Sequence, residues 1–225
     1  MKITEFENVV LITDDGFRSI NTHIFHSVIR DYFKETYLLT PIDSISAKSN
    51  AISLEPIKFN RTTDYIMLDG FAGDCLLYAI FNLNLDLKKT LFILGVNEHN
   101  HWGYHNYVSA TTSMLSLLKH FEIKGFSISS EIELSNSFTK ELFVKIFDYL
   151  HGINDSYLSF NINEESTDFS LVKKSKALID KFHIYETIRG EYACISYNRK
   201  SSIKEDEETD LNYQNKGKNY IVEVF

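Results

Sequence analysis

Val9-Val10-Leu11-Ile12-Thr13-Asp14-Asp15-Gly16 reads as an apolar strand that ends on two adjacent carboxylates and a glycine. If the sheet is parallel, the carboxyl ends of its strands open onto the crevice where ligands bind, and Asp14 and Asp15 fall there. Two neighbouring aspartates repel unless something cationic lies between them. A hard divalent metal ion is the simplest candidate. The competing reading is a solvated turn before a helix, since Asp and Gly are common turn formers.

Working outward, apolar runs recur at Tyr37 to Leu39, Tyr65 to Leu68, Leu91 to Leu94 and Phe126 to Ile128. Between them lie stretches with helical spacing, and this alternation predicts an α/β fold with a mostly parallel sheet. Ile24, Phe25, Val28, Ile29, Tyr32 and Phe33 step at three and four residues, as do Leu76, Leu77, Ile80 and Phe81. Helices are also expected over Ser109 to Phe121 and Phe138 to Leu150. Asp74 is a candidate cap for the helix near Cys75, and Ser135 or Asn136 for the last one. After about residue 155 the pattern changes to short extended runs, Tyr157 to Ile162 and Tyr192 to Tyr197, followed by the acidic stretch Glu205 to Asp210, which reads as a solvated loop. The expected organisation is one domain over 1–225, with an α/β core over about 1–155 and a strand-rich C-terminal extension over about 156–225. No internal repeat or low-complexity linker divides it.

Composition limits the function classes. With 225 residues, 44% hydrophobic, the chain can form one sizeable core. Nothing approaches the ~18 consecutive apolar residues of a membrane span, and the N-terminus has no signal-peptide pattern. Only Cys75 and Cys194 occur, which suits a reduced, cytoplasmic protein and not a disulfide framework. A net charge of −8 argues against a nucleic-acid polymer as partner, which would need a basic stripe. A small anion held by a metal stays compatible.

Among the nine glycines there is no G-x-x-x-x-G-K-[ST] and no G-x-G-x-x-G, so P-loop and dinucleotide readings fall away. What remains is rich in oxygen: Asp14 and Asp15 after one strand, Ser46 and Asn50 in the loop after another, and Asn97 just past Leu91 to Val96. Such donors suit Mg²⁺ or Mn²⁺ better than zinc. Ser109-Ala110-Thr111 stands at an expected helix start, where free N–H groups and the helix dipole favour a phosphate. Ser and Thr are ordinary caps as well. The stretch Glu98-His99-Asn100-His101-Trp102-Gly103-Tyr104-His105 leaves three readings open: exposed histidines, a histidine that contacts substrate phosphate or serves as general acid, or a three-histidine zinc site. Trp102 either stacks a base or covers the core edge. Cys75 reads as a small packed hydrophobe, not as a nucleophile.

Together these segments resemble the SurE metal-dependent phosphatases, stationary-phase survival proteins described as 5′/3′-nucleotidases. The family's T-N-D-D-G reads here Ile12-Thr13-Asp14-Asp15-Gly16, with threonine in place of asparagine. Its A-P-D-x-x-x-S-G-x-S-N-S is similar to Thr40 through Ala51, which puts the family's metal-binding serine on Ser46. G-T-P-A-D-C resembles Gly70 through Cys75, S-G-I-N resembles Leu94-Gly95-Val96-Asn97, and S-G-T resembles Ser109-Ala110-Thr111. Near the C-terminus, T-D-W and G-Y-V-S-V resemble Thr209-Asp210-Leu211 and Lys218 through Val224.

The resemblance implies a three-layer, Rossmann-like α/β sandwich and one divalent metal ion, Mg²⁺ or Mn²⁺, held by Asp14, Asp15, Ser46 and Asn97. It implies phosphomonoester hydrolysis with Asp14 and Asp15 as catalytic residues, on a nucleoside monophosphate or another small phosphate ester, and a homodimer or homotetramer joined through the C-terminal extension. Asn50, Ser109 and Thr111 would bind phosphate. The bulky histidine stretch departs from the family's small G-x-N-x-G, so His99 and His101 are expected to shape substrate binding. That departure also admits a scaffold of weakened catalysis that binds a ligand or partner, or a phosphatase specialised for a biosynthetic phosphate intermediate.

Overall fold

The computed structural model describes residues 1–103, 105–152, 157–175, 185–189, 192–196 and 208–224. Its centre is β1 (Asn8–Ile12), a run in which successive side chains are buried on opposite faces of the sheet. Val9 and Leu11 pack with α1 (Ile20–Ile29) and α5 (Asn136–Gly152), through Phe25, Ile29, Phe138, Leu142, Phe143 and Ile146. Val10 and Ile12 pack on the other face with α2 (Ala72–Asn82) and α4 (Ala110–His120), through Cys75, Leu76, Ala79, Met114 and Leu115. A strand covered on both faces has no polar alternation, which is why β1 and β5 (Thr90–Asn97) are continuous apolar runs. The result is the expected three-layer α/β sandwich.

β1 pairs in parallel with β2 (Glu35–Pro41) and β5, with Ile12 opposite Leu39 and Leu94. β4 (Tyr65–Leu68) follows β2, and the short β3 (Phe59–Arg61) closes that edge antiparallel to β4. On the other side come β6 (Gly125–Ser130) and β7 (Leu158–Ile162), both parallel. Beyond β7 lie β11 (Tyr220–Glu223), antiparallel to it, and β8 (Ser170–Val172). Among the described residues these form one nine-stranded sheet, ordered β3-β4-β2-β1-β5-β6-β7-β11-β8, while β9 (Tyr185–Arg189) and β10 (Tyr192–Ser196) form a separate antiparallel pair. Short helices α3 (His105–Val108) and α6 (Asp210–Asn215) complete the set. Among the described residues no helix is long and apolar enough to cross a membrane.

Several expectations change. The helix expected to run to Phe33 starts earlier, at Ile20 behind the Ser19 cap, and ends at Ile29; Tyr32 and Phe33 reach the Phe143 ring from the following turn. Asp74 is not the cap of α2 but lies inside its first turn, where Oδ2 accepts the Phe71 N–H at 2.8 Å. Ser135, and not Asn136, caps α5 by accepting from Phe138 N at 3.2 Å. The C-terminal apolar residues Tyr220, Ile221, Val222 and Val224 are buried within the chain itself, without cover from a second copy, because β11 is inserted between β7 and β8. Tyr197, Phe225 and the first half of the acidic stretch, 205–207, lie outside the described residues, as do the side chains of Tyr192 and Ile195, while Asp210 is buried at the start of α6 and not in a solvated loop.

Candidate active site

Asp14 and Asp15 stand at the carboxyl tip of β1, between the tips of β2 and β5, as the strand order requires. The turn is held by short-range bonds: Asp15 N donates to Thr13 Oγ1 at 3.2 Å, and Ile45 N donates to the Asp14 carbonyl at 2.9 Å. Gly16 makes this approach possible. It has φ of 75°, and a Cβ there would meet Ser44 N at 2.8 Å, so a side chain would push the loop after β2 away from the carboxylates.

Asp15 ties three segments together. Its Oδ1 accepts from Ser46 Oγ at 3.3 Å, and its Oδ2 accepts from Glu98 N at 2.7 Å. Asn97 reaches this tip through an irregularity in the β5–β6 register between Leu94 and Asn97, the kind of bulge that re-aims a side chain. Its amide nitrogen donates to the His99 carbonyl, which leaves its carbonyl oxygen as the group that can face a cation.

Asp14 is 1% exposed, and its Oδ1 is buried with no hydrogen-bond partner. Burial, and then the neighbouring Asp15 charge, push its carboxyl up to about 7. Burial also raises Asp15, against the Glu98 N–H and the Ser46 hydroxyl, which hold it down. Buried carboxyl oxygens are almost always paired, and an orphan beside a second carboxylate calls for a cation. Among the described residues no group of three or more His, Cys, Asp or Glu is placed to hold a metal ion. The oxygen donors at these neighbouring strand tips are the two carboxylates, Ser46, whose hydroxyl meets Asp15, and Asn97, a hard set of the kind that fits Mg²⁺ or Mn²⁺.

The residues expected to meet phosphate stand at the start of α4. Ser109 caps the helix by accepting from Thr112 N at 3.4 Å, and its hydroxyl lies 2.9 Å from Thr111 Oγ1. The Ser46 loop reaches this helix start through Ser49 N, which donates to the Val108 carbonyl at 2.9 Å. Asn50 is carried elsewhere: its Nδ2 donates to Ser116 Oγ at 3.2 Å, farther along α4, although its Oδ1 is buried without a partner.

The three histidines diverge. His99 has a side chain 62% exposed, 3.5 Å from Glu131 Oε2. His101 is 7% exposed, with Nδ1 3.0 Å from Ser129 Oγ, and its backbone N donates to Asn161 Oδ1 at 2.9 Å. This placement suits holding the loop and not meeting a phosphate, against the expectation that His101 binds substrate. His105 stacks on Trp102 with ring centroids 4.4 Å apart, and Trp102 is buried against Leu211, so Trp102 covers the core edge. The three rings thus have separate partners, which leaves no basis for the three-histidine zinc reading. Cys75 is buried, and burial with Asp74 alongside raises its thiol far above the range of a nucleophile.

Sequence reasoning missed Thr13, the Glu98 N–H and Glu131 as parts of the site. Glu131 also accepts from Asn100 N at 2.9 Å. No short motif marks it, because it arrives from the end of β6.

Comparisons with known proteins agree with the fold. The structure is similar to the SurE protein from Aquifex aeolicus, with a TM-score of 0.74 at 20% identity, covering 97% of this chain and 94% of that one. The sequence is similar to 5'-nucleotidase SurE 1 of Burkholderia lata, 29% identical over 117 residues, or 50% of this chain and 45% of the relative. It is also similar to 5'-nucleotidase SurE of Chlamydia muridarum, 27% identical over 115 residues, 48% and 41% of the two chains. These matches span less than half the length of either curated relative. The family described as Survival protein SurE matches residues 9–181, a span that begins in β1 and takes in both carboxylates, Ser46, Asn97 and the start of α4. With the β1-tip carboxylates in place and most of the chain matched, the protein belongs to the SurE family.

Proposed function

We propose that this chain is a divalent-metal-dependent phosphomonoester hydrolase acting on nucleoside monophosphates. The observation that carries the reading is the buried, unpartnered Oδ1 of Asp14 beside Asp15, in a chain whose relatives are named 5'-nucleotidases. Asp14, Asp15, Ser46 and Asn97 would hold Mg²⁺ or Mn²⁺, which supplies charge neutralisation at phosphoryl oxygens and a more acidic water.

The chain's own residues do the rest. Ser46 and the Glu98 N–H orient Asp15, and the unpartnered Oδ1 of Asp14 is the oxygen that would meet the cation. Ser109, Thr111 and the dipole of α4 bind the phosphate oxygens, with Asn50 a weaker candidate because Nδ2, its only side-chain donor, is engaged with Ser116 Oγ. His99, exposed at the mouth, adjusts which ester is preferred. A cytoplasmic setting and a homodimer or homotetramer belong to the same reading; the buried free thiol of Cys75 suits the first. Sedimentation tests the second, with a species of 26.1 kDa alone counting against it.

The decisive assay measures phosphate release from nucleoside monophosphates and sugar phosphates with Mn²⁺, Mg²⁺ or chelator. Metal-dependent release that disappears in Asp14→Asn is expected. Release from no phosphate ester with either metal would refute the reading; release from sugar phosphates alone would make this a specialised phosphatase.

A further inference from the structure

The loop over 98–108 joins two parts of the site, Asn97 at one end and Ser109 at the other, and its described residues form no helix or strand beyond the single turn of α3. Its conformation is set by bonds from elsewhere, and many come from the far C-terminal segment. Gly103 N donates to Asp210 Oδ2 at 2.9 Å, and Asn106 Nδ2 donates to the same oxygen at 3.4 Å. Tyr220 OH donates to the His101 carbonyl at 3.1 Å and lies 3.2 Å from Gln214 Oε1, which also accepts from Asn100 Nδ2 at 3.3 Å. Asp210 and Tyr220 are both 0% exposed, so no water can replace these contacts cheaply. The matched family span ends at residue 181, and Asp210 and Tyr220 fall beyond it, in the stretches that resemble T-D-W and G-Y-V-S-V.

We propose that Asp210 is a positioning residue of the active site: with Tyr220 and Gln214 it holds the 100–106 loop so that the phosphate-binding start of α4 stays in register with the strand tips carrying Asp14, Asp15 and Asn97. The other Asp210 oxygen anchors the segment itself, accepting from Ser175 N at 2.8 Å and Leu211 N at 2.7 Å. One carboxylate therefore fastens the C-terminal segment to the body of the fold and the loop to that segment. The kinetic part rests on the phosphatase reading; the structural part does not.

The test uses the full chain with Mn²⁺ and two variants of nearly unchanged volume, Asp210→Asn and Tyr220→Phe. In Asp210→Asn the Asn106 amide can rotate to offer its unpartnered Oδ1, which leaves Gly103 N as the donor without an acceptor. Hydrogen exchange over 100–106 should speed up about 10-fold or more while exchange in β1 and β5 is unchanged. The KM for a nucleoside monophosphate and the Ki of inorganic phosphate should rise about 10-fold, and kcat/KM should fall about 10- to 100-fold. Mn²⁺ affinity should stay within about 2-fold, because the carboxylates are untouched.

A role in global stability alone would lower Tm and leave KM and phosphate affinity of the folded protein unchanged, and that result would overturn the proposal. So would unchanged exchange over 100–106 in both variants. If the wild type hydrolyses no ester, the phosphatase reading fails separately, and exchange with phosphate affinity decides the role of Asp210: weakened phosphate with faster exchange supports it, and unchanged values refute it.

Discussion

Replacing Asp14 by asparagine should stabilise the metal-free protein at neutral pH while removing metal-dependent activity. The Asp14 carboxyl has an ordinary value of 3.8 and is pushed up to about 7 in the fold, so the folded chain keeps a proton that the unfolded chain releases near pH 4. Stability from this group is therefore fully present below 3.8, is lost as pH rises toward 7, and is gone above it. Each pH unit in that window costs at most ~1.4 kcal/mol. Between pH 5 and pH 8 the loss sums to about 3 kcal/mol, an order-of-magnitude figure. Asparagine has the same shape and no proton to lose. Urea titrations in chelator at pH 5 and pH 8 measure the effect; with a slope of ~2 kcal/mol/M, the wild-type midpoint should fall about 1.5 M more than the variant's. Carboxylates remote from the Asp14–Asp15 pair are common to both proteins and cancel in the comparison. Equal midpoint shifts would show that Asp14 is not the desolvated acid described above, and the case for a cation at this position would fall with it.

Other outcomes follow from the same geometry. Asn97→Ala should weaken Mn²⁺ binding about 10-fold by calorimetry, since one neutral oxygen is lost from a shell that water partly refills; unchanged affinity would remove Asn97 from the ligand set. His99→Ala should change KM about 3- to 10-fold and reorder the esters with metal dependence kept, as for a lost binding contact, whereas identical constants would make it a bystander. His101→Ala should instead lower Tm, because it takes away the partner of buried Ser129. Phe143→Ala should cost about 3–5 kcal/mol in a urea titration, because this buried ring meets Phe25, Tyr32, Phe33 and Phe147; a loss under 1 kcal/mol would mean that the α1–α5 face repacks freely.

The core strands were legible because burial on both faces leaves a local trace. Val9 to Ile12 and Leu91 to Leu94 are apolar without interruption, and only a covered strand tolerates that. Asp14 and Asp15 were legible because they follow such a strand directly, and Ser46 and Asn97 because the family's motifs mark them. The place of β11 left no local trace. Tyr220 to Glu223 reads as any short extended run, and its insertion between β7 and β8 depends on partners far away in sequence. The histidines were equally opaque. His99 and His101 are two residues apart, and whether each faces solvent or Ser129 depends on a loop pinned by Asp210, Gln214 and Tyr220.

The insertion of β11 also sets an order of events during synthesis. Among the described residues β8 pairs in the sheet with β11 alone, so residues 170–172 gain this strand partner only when 220–223 have been made. Until then the β7 side of the sheet is an open edge, with buried Phe160 and Ile162 lacking part of their cover. The same late segment supplies Asp210, Gln214 and Tyr220 to the active-site loop. The carboxylate tip is thus built from residues made early, yet the arrangement around that tip waits until residues 210–223 have been made.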